Sequence, residues 1–534
     1  MSPMAEQEQA PERLGTLRSL AQAVRSWRTL SVVLLSFSSG MPLGLVWIAI
    51  PDWMRDAGID IRLVGLFTLA QAPWTFNVVW APLMDRFPPP FLGRRRGWAA
   101  IAQVGLLLGT LGLSGVGDHP DVPWLALALT LAIAMAAASQ DIAVDAYAVD
   151  VLRKEEQGAA VGARIGLYRL AMLVAGGTAI TVAGRTSWPL VCVGLAALYL
   201  PMLAITIRAP EPKNLPPAPK TLRDAVWQPF LGFLSRHRAV EILAFVILFK
   251  FGDNMAQGLL RPFLVDMGYS ADHRGVALAT VGTTATIVGS IAGGLGTNVM
   301  GLGRALWIFG LLQIFSNVGY ILLANLPMQP SLLYGAMGFE SLCQGLGTGA
   351  FSVLLLRMTQ KRFSATQYAL FSTLFGMGRI VSGPVAGFMV HSVGWSNFFL
   401  LTIPLGLPGL YMLSRFVKPS QREPAFEVRR HEALPPRSPA QLAAHGATYG
   451  GLTLVGGALL LTGLAALEAV RAGEFADFGF GSALLAIATP SDMFGWIQLA
   501  GLIAFGAAIG LFAAAVQAAR HGDGAALAAA SNEP

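Results

Sequence analysis

The stretch Ser139-Gln140-Asp141-Ile142-Ala143-Val144-Asp145 sets two carboxylates four residues apart. It lies near the end of an apolar run that begins at Trp124 and carries no other charge before Asp141. On a helix that spacing puts Asp141 and Asp145 on one face. A carboxylate inside a membrane helix costs roughly 2.5–3.5 kcal/mol on insertion scales, so it must face protein or water and not lipid. The chain therefore reads as a polytopic membrane protein with a polar interior pathway.

Composition points the same way. Of 534 residues, 54% are hydrophobic and 13% charged, with mean hydropathy +0.58; a soluble chain carries about 25% charged residues. The 60 glycines suit membrane helices that pack closely. The net charge of +7 resides in loops, where it reads as topology and not as nucleic-acid binding. Cys192 and Cys343 fall in separate apolar segments, so neither a disulfide framework nor a metal site is expected. The histidines lie in or beside polar loops, which argues against a buried histidine proton relay. No metal-ligand cluster, nucleophile–histidine pair or phosphate-binding glycine loop is found, so no enzyme and no cofactor is expected.

Residues 1–30 are polar, include Arg13, Arg18, Arg25 and Arg28, and lack a short apolar core with a small-residue cleavage site. They are expected to be an uncleaved cytoplasmic segment. About fourteen stretches beyond them are long enough to span a bilayer at roughly 20 residues each. Six fall in 31–207 and six in 239–415, with a final pair in 447–517 and a tail at 518–534. Among the expected spans are 31–50, 62–84, 163–184 and 239–261. A linker at 208–238 carries an amphipathic stretch near Leu222–Leu234, and a second at 416–446, rich in Pro, Arg and Glu, is expected to be mobile. With the N-terminus inside, the inside loops collect Arg153, Lys154, Arg236, Arg238, Lys361 and many other basic residues. The outside loops hold only Arg55, Arg62, Arg185, Arg274 and Arg471, plus Arg261 at a helix end. Both termini are thus expected in the cytoplasm.

The two halves echo each other. Asp141 and Asp145 in the fourth span match Glu340 and Gln344 in the tenth at the same spacing, and Arg169 and Arg379 are each followed eight residues later by glycine. Such pairing indicates a transporter built from repeats around a midplane site. The expected fold is an all-α membrane protein of two six-helix bundles with two additional C-terminal transmembrane helices.

The loop APLMDRFPPPFLGRRRGW, between the second and third spans, resembles the cytoplasmic signature of the major facilitator superfamily. Asp85, Arg86, Gly93, Arg94 and Arg95 match it and are the candidate conformational gate; the insert Phe87–Leu92 departs from it. The plainer alternative is an ordinary positive-inside loop. The resemblance narrows with Ser139-Gln140-Asp141 followed by Asp145 and Asp150, with PPPFLGRRRGW, FSATQYAL and GRIVSGPVAG, and with the extra C-terminal pair. Together these are similar to the AmpG muropeptide permease family, from Ser36 to about Arg415 and more loosely beyond. The resemblance implies the major facilitator fold and a place in the bacterial inner membrane. It also implies proton-coupled import of anhydro-muropeptides, that is GlcNAc-anhydroMurNAc and its peptides, for peptidoglycan recycling.

Residue chemistry adds site candidates. Asp141, Asp145 and Glu340 are candidates for proton coupling, because apolar surroundings and a neighbouring acid disfavour the charged carboxylate; the alternative is a structural acid paired to Arg169 or capped by Gln140. Lys250, Asp253, Asn254 and Gln257, with Arg261, form one polar face of the seventh span. Lys250 and Asp253 either meet substrate or hold the fold as an ion pair. Asn254 and Gln257 suit sugar amides and hydroxyls. Gln140, Tyr147 and Gln344 are further substrate candidates. Arg169 and Arg379 either bind substrate carboxylates or neutralise an acid, the pairing expected for Arg379 being with Glu340. Tyr168, Trp47, Trp74 and Trp80 offer flat faces for sugar rings, although core packing is the plainer use of any one aromatic. Asp150 is expected at the cytoplasmic end, beside Arg153 and Lys154, as a gate or topology element.

The expected partners are a small sugar-peptide substrate, protons and the lipid bilayer, with no nucleic acid, and the expected state is a monomer. The rivals are a non-transporting assembly factor for pigment complexes with the same fold and a membrane-embedded cell-wall enzyme.

Overall fold

A lipid-embedded backbone must satisfy its own polar groups, and long apolar segments do so as helices. The computed structural model describes residues 26–59, 70–117, 123–211, 239–424, 437–472, 478–491 and 493–521, with isolated positions between 219 and 234 and at 435. Among the described residues, nine helices are long and apolar enough to cross a membrane, so the chain is a multi-pass membrane protein.

One compact unit falls within residues 1–225 and 241–425. Its first half contains α1 (Trp27–Met54), α2 (Ala81–Arg86), α3 (Arg94–Ser114), α4 (Pro123–Val151), α5 (Lys154–Ala183) and α6 (Trp188–Arg208). Its second half contains α7, in three pieces Ala239–Leu248, Phe251–Gly258 and Leu260–Asp266, then α8 (Asp272–Met300), α9 (Leu302–Asn325) and α10 (Pro330–Met358). A last run, Ser364–Ser414, is split by Gly394 at φ 76 into α11 and α12. The second unit, within residues 226–240 and 426–534, contains α13 (Pro439–Ala472), α14 (Phe480–Ala488) and α15 (Met493–Arg520).

Several expected boundaries move. The second span is not one helix in its described part: Ala72–Thr75, a 3-10 turn Asn77–Val79 and α2 follow one another, with proline at the start of each α piece. Proline lacks the N–H that would continue the ladder. Residues 60–69 of that span lie outside the described ones. α5 begins at Lys154 and not near 163, because Glu156 closes a capping box at its start and the turns from Gln157 to Gly162 are buried against protein. α14 was not expected, since nine residues are too few to span. The amphipathic stretch near Leu222–Leu234 falls mostly outside the described residues.

Small residues set how closely helices approach. A Cβ at Gly289 of α8 would lie 2.2 Å from the Leu342 carbonyl oxygen of α10, and one at Gly345 would lie 2.5 Å from the Thr286 oxygen. In the second unit, a Cβ at Gly510 of α15 would lie 2.6 Å from the Gly446 oxygen of α13. Such stripes let van der Waals packing hold helices together where lipid offers no hydrophobic drive.

The repeat between halves is clearest at a polar strap. Gly93 and Gly301 are the N-caps of α3 and α9, at φ 76 and φ 87. Three residues later, Arg96 donates to the Ala209 carbonyl (2.7 Å) and to Glu211 (2.6 Å), both just past α6. In the same register Arg304 donates to the Ser420 carbonyl past α12 (3.3 Å). Gly303 N and the Trp307 indole N–H bind the Arg422 and Val417 carbonyls at 2.8 and 2.9 Å. The linker expected to be mobile from 416 therefore begins as an ordered strap through Glu423, because these carbonyls satisfy the donors at the start of α9.

Candidate functional site

At the end of the first unit that carries Arg94–Arg96, the two halves are clamped. Arg95, buried to 1% exposure, donates from Nη2 to Asp85 Oδ1 and from Nε to Asp150 Oδ2, both at 2.8 Å. Its Nη2 also donates to Ser364 Oγ at 2.7 Å, across to the start of α11. Asp85 Oδ2 accepts from Thr366 N (2.9 Å) and Thr366 Oγ1 (2.6 Å), so a carboxylate sits where the α11 N-terminus favours negative charge. A second contact lies alongside. Arg357 Nε donates to Gln157 Oε1 (3.3 Å) and pairs with Glu423, while Asn298 Nδ2 donates to the Glu155 carbonyl (3.1 Å). Gly158 makes this approach possible, since a Cβ there would come 2.4 Å from the Gly294 oxygen.

Of the gate candidates, Asp85 and Arg95 form this clamp, and Gly93 caps α3 where a Cβ would strike Glu211 Oε1 at 2.2 Å. Arg94 is buried beside the clamp but none of its guanidinium nitrogens has a hydrogen-bond partner among the described residues. Arg86 stands apart, its guanidinium 5.2 Å from the Phe87 ring centre. Asp150, at the end of α4, belongs to the clamp through Arg95 and not through Arg153 or Lys154. The FSATQYAL segment supplies the clamp's other side through Ser364 and Thr366.

Away from the clamp, a cavity of about 410 Å³ lies between the halves. Arg169 of α5 lines it from one half; Asn254, Gln257 and Arg261 of α7, Ser341 and Gln344 of α10 and part of α8 line it from the other. The α8 part, Val276–Gly282, is a π-helical segment, a local unwinding frequent at functional sites. Glu340 lies behind this wall, fully buried; its Oε1 accepts from Gln257 Nε2 at 2.5 Å, and Gln257 also reaches the Tyr320 hydroxyl at 3.3 Å.

The structure separates some residues that the sequence grouped. The seventh span is broken at Lys250 and Leu259, whose φ values are −110 and −112, so its polar stripe is not one helical face. Lys250 and Asp253 do not line the cavity. They are buried as an ion pair at 3.7 Å, and Lys250 Nζ also donates to Thr348 Oγ1 (2.8 Å) and the Gln344 carbonyl (3.1 Å) of α10. Gln140 does not line it either: fully buried, it accepts from Ser38 (2.9 Å) and donates to Ser39 (3.2 Å), tying α4 to α1. Tyr147 lies elsewhere, its hydroxyl bound to the Pro210 carbonyl (2.9 Å) and Ser31 (3.2 Å). Arg379 is on α11, but its side chain falls outside the described ones, so its expected pairing with Glu340 does too.

The acids of α4 form a second polar cluster. Asp145 pairs with Arg164 of α5, which also donates to Ser36 Oγ of α1 at 3.1 Å. Asp141 Oδ2 accepts from the Trp74 indole at 3.0 Å, and Trp74 meets Trp47 edge to face at 5.9 Å between ring centres. Trp80 donates to Ser139 Oγ at 3.2 Å. The guanidinium that pairs with Asp145 is thus Arg164, where the sequence offers Arg169. Arg164 was missed because the fifth span was begun at 163, which made it a helix-end arginine; with α5 starting at Lys154 it lies ten residues, about 15 Å, into the helix.

Two pseudo-repeated halves, clamped at one end and enclosing a polar cavity, define a secondary transporter of the major facilitator type. The model of that family, described as Major Facilitator Superfamily, matches residues 32–339. The chain is 42% identical over 388 residues to the anhydromuropeptide permease of Escherichia coli, covering 72% of this chain and 79% of that one. It is 31% identical over 406 residues to a putative AmpG transporter of Rickettsia felis, covering 74% and 97%. Among solved structures, the proton:xylose symporter XylE aligns with TM-score 0.58 at 12% identity over 75% of this chain and 98% of that one, a likeness of fold alone. The chain belongs to the AmpG-type anhydromuropeptide permease family of the major facilitator superfamily. As its relatives are permeases and transporters, it is not an enzyme, and the pigment-assembly and cell-wall-enzyme alternatives fall away.

Proposed function

We propose that the chain imports anhydromuropeptides, GlcNAc-anhydroMurNAc and its peptides, from periplasm to cytoplasm across the bacterial inner membrane, driven by protons. The observation that carries the reading is the polar cavity between the halves. Its volume lies within the roughly 300–1,000 Å³ usual for small-ligand sites, and its amides, hydroxyls and guanidiniums suit a sugar-peptide. The 42% identity to a permease of that substrate supports the choice of ligand.

The basic end is the cytoplasmic one by the positive-inside rule, which puts both termini in the cytoplasm. On that assignment the clamp closes the cytoplasmic side and substrate enters the cavity from the periplasm. Asn254, Gln257 and Gln344 hydrogen-bond the sugar, and Arg169 lines the same cavity from the other half. The proton is carried by the α4 acids, with Glu340 as a further candidate. Transport follows when Arg95 and Asp85 let go of α11 and the halves rock about the site, one chain acting as a monomer.

Uptake of labelled anhydromuropeptide into vesicles containing the purified chain tests this. Accumulation is expected when the external side is made acidic and is expected to vanish with an uncoupler. Accumulation indifferent to the pH gradient would remove the coupling, and the absence of any uptake would remove the substrate.

A further inference from the structure

Among the described residues, the charged groups that line the cavity are all of one sign. Arg169 and Arg261 line it, one from each half, and no carboxylate joins them among its lining residues. Two acids of this half are buried and partnered elsewhere: Glu340 is fully buried behind Gln257, and Asp253, at 5% exposure, pairs with Lys250. Around the arginines stand neutral donors and acceptors, including Asn254, Thr283, Ser341 and Gln344. Arg261 is exposed, on the first turn of the last piece of α7. A guanidinium is always charged and its planar fork matches a carboxylate bidentately.

We propose that this cavity is the subsite for the carboxylate-bearing part of the substrate, and that Arg261 is a specificity-determining residue that selects for its negative charge. The inference deepens the reading of the chain as a muropeptide importer and rests on it. A peptide ends in a carboxylate, so the stem peptide presents the chemistry that the guanidinium of Arg261 recognises. The sugar then takes the neutral hydrogen-bonding positions. Arg261 lines the cavity from the half opposite Arg169, so a ligand that fills it touches both halves.

The test compares the full-length chain in vesicles with two ligands: an anhydromuropeptide with free carboxylates and the same compound with its carboxylates converted to amides. The parent is expected to bind the acid about tenfold more tightly than the amide, since a charged hydrogen bond is at stake. Arg261→Gln should weaken the acid by about tenfold and the amide by less than about twofold, erasing the preference. Arg261→Lys keeps the charge but loses the fork, and should show an intermediate preference; it carries the test if the Gln variant fails to reach the membrane. Equal loss for both ligands in either variant, or a parent that binds them equally, overturns the inference while leaving the substrate reading standing. A parent that binds neither ligand overturns both.

Discussion

At the scale of single residues, the two acids of α4 have different surroundings and so different tasks. Asp145 has a guanidinium partner in Arg164, whereas Asp141 has an indole N–H and no cation within salt-bridge distance among the described residues. Asp141 is then the better carrier of a mobile proton, because the guanidinium of Arg164 pairs directly with Asp145 and not with it. Asp141→Asn should abolish accumulation driven by a proton gradient while substrate exchange at equal pH persists; accumulation equal to the parent would move the proton elsewhere. Arg164→Gln leaves Asp145 with an uncompensated charge that is 20% exposed. A fully buried pair broken in this way costs roughly 3–5 kcal/mol, and the partial exposure puts this one at or below the low end. The melting temperature of the purified variant should fall, and adding Asp145→Asn should restore part of it. Strictly additive losses in that cycle would show that the two side chains do not interact.

At the scale of elements, close helix contact substitutes for the hydrophobic drive that lipid removes. The α8–α10 contact makes this testable on one helix pair. Gly289→Ala places a methyl 2.2 Å from a backbone carbonyl oxygen that cannot swing aside, so the helices must part. Overpacking of this kind costs about 1–3 kcal/mol. Gly335→Ala on α10 meets nothing within 4 Å and serves as the control. Thermal stability in detergent should fall for the first and stay level, or rise slightly through better helix propensity, for the second. Equal behaviour of the two would mean that α8 and α10 are not packed as tightly as their glycines indicate. The breaks in α7 belong to this scale too, since they divide one polar stripe into an ion pair facing the bundle and a set of groups facing the cavity.

At the scale of the whole transport unit, the clamp sets which end is shut. Asp85 meets α11 through both Thr366 donors and meets Arg95 besides, so one substitution weakens several bonds across the halves. Asp85→Asn should favour the conformation open at the basic end. A cysteine introduced by Gln157→Cys, where α5 meets α10, should then react faster with an impermeant maleimide applied from that side. The two native cysteines are buried and give a low background. An unchanged labelling rate would mean that the Asp85 contacts do not hold the halves shut.

The sequence by itself determined that this is an all-α membrane protein in two related halves, because apolar length and charge asymmetry are local properties that a bilayer reads directly. It also made Asp85, Arg95, Asp150 and FSATQYAL legible as patterns. Only the tertiary structure decided their pairing, because Arg95 meets Ser364 across 269 residues of chain and no spacing rule reaches that far. The same holds inside the halves. Arg164 is the partner of Asp145 because α5 begins at Lys154, well before its apolar run, and carries Arg164 into the bundle. Lys250 and Gln140 turned out to bind the fold together, while Asn254, Gln257 and Arg261 reached the cavity, although all are polar residues on membrane helices. Hydrophobicity marks such residues as needing a partner; only packing in three dimensions says whether that partner is another helix or the space that a substrate would fill.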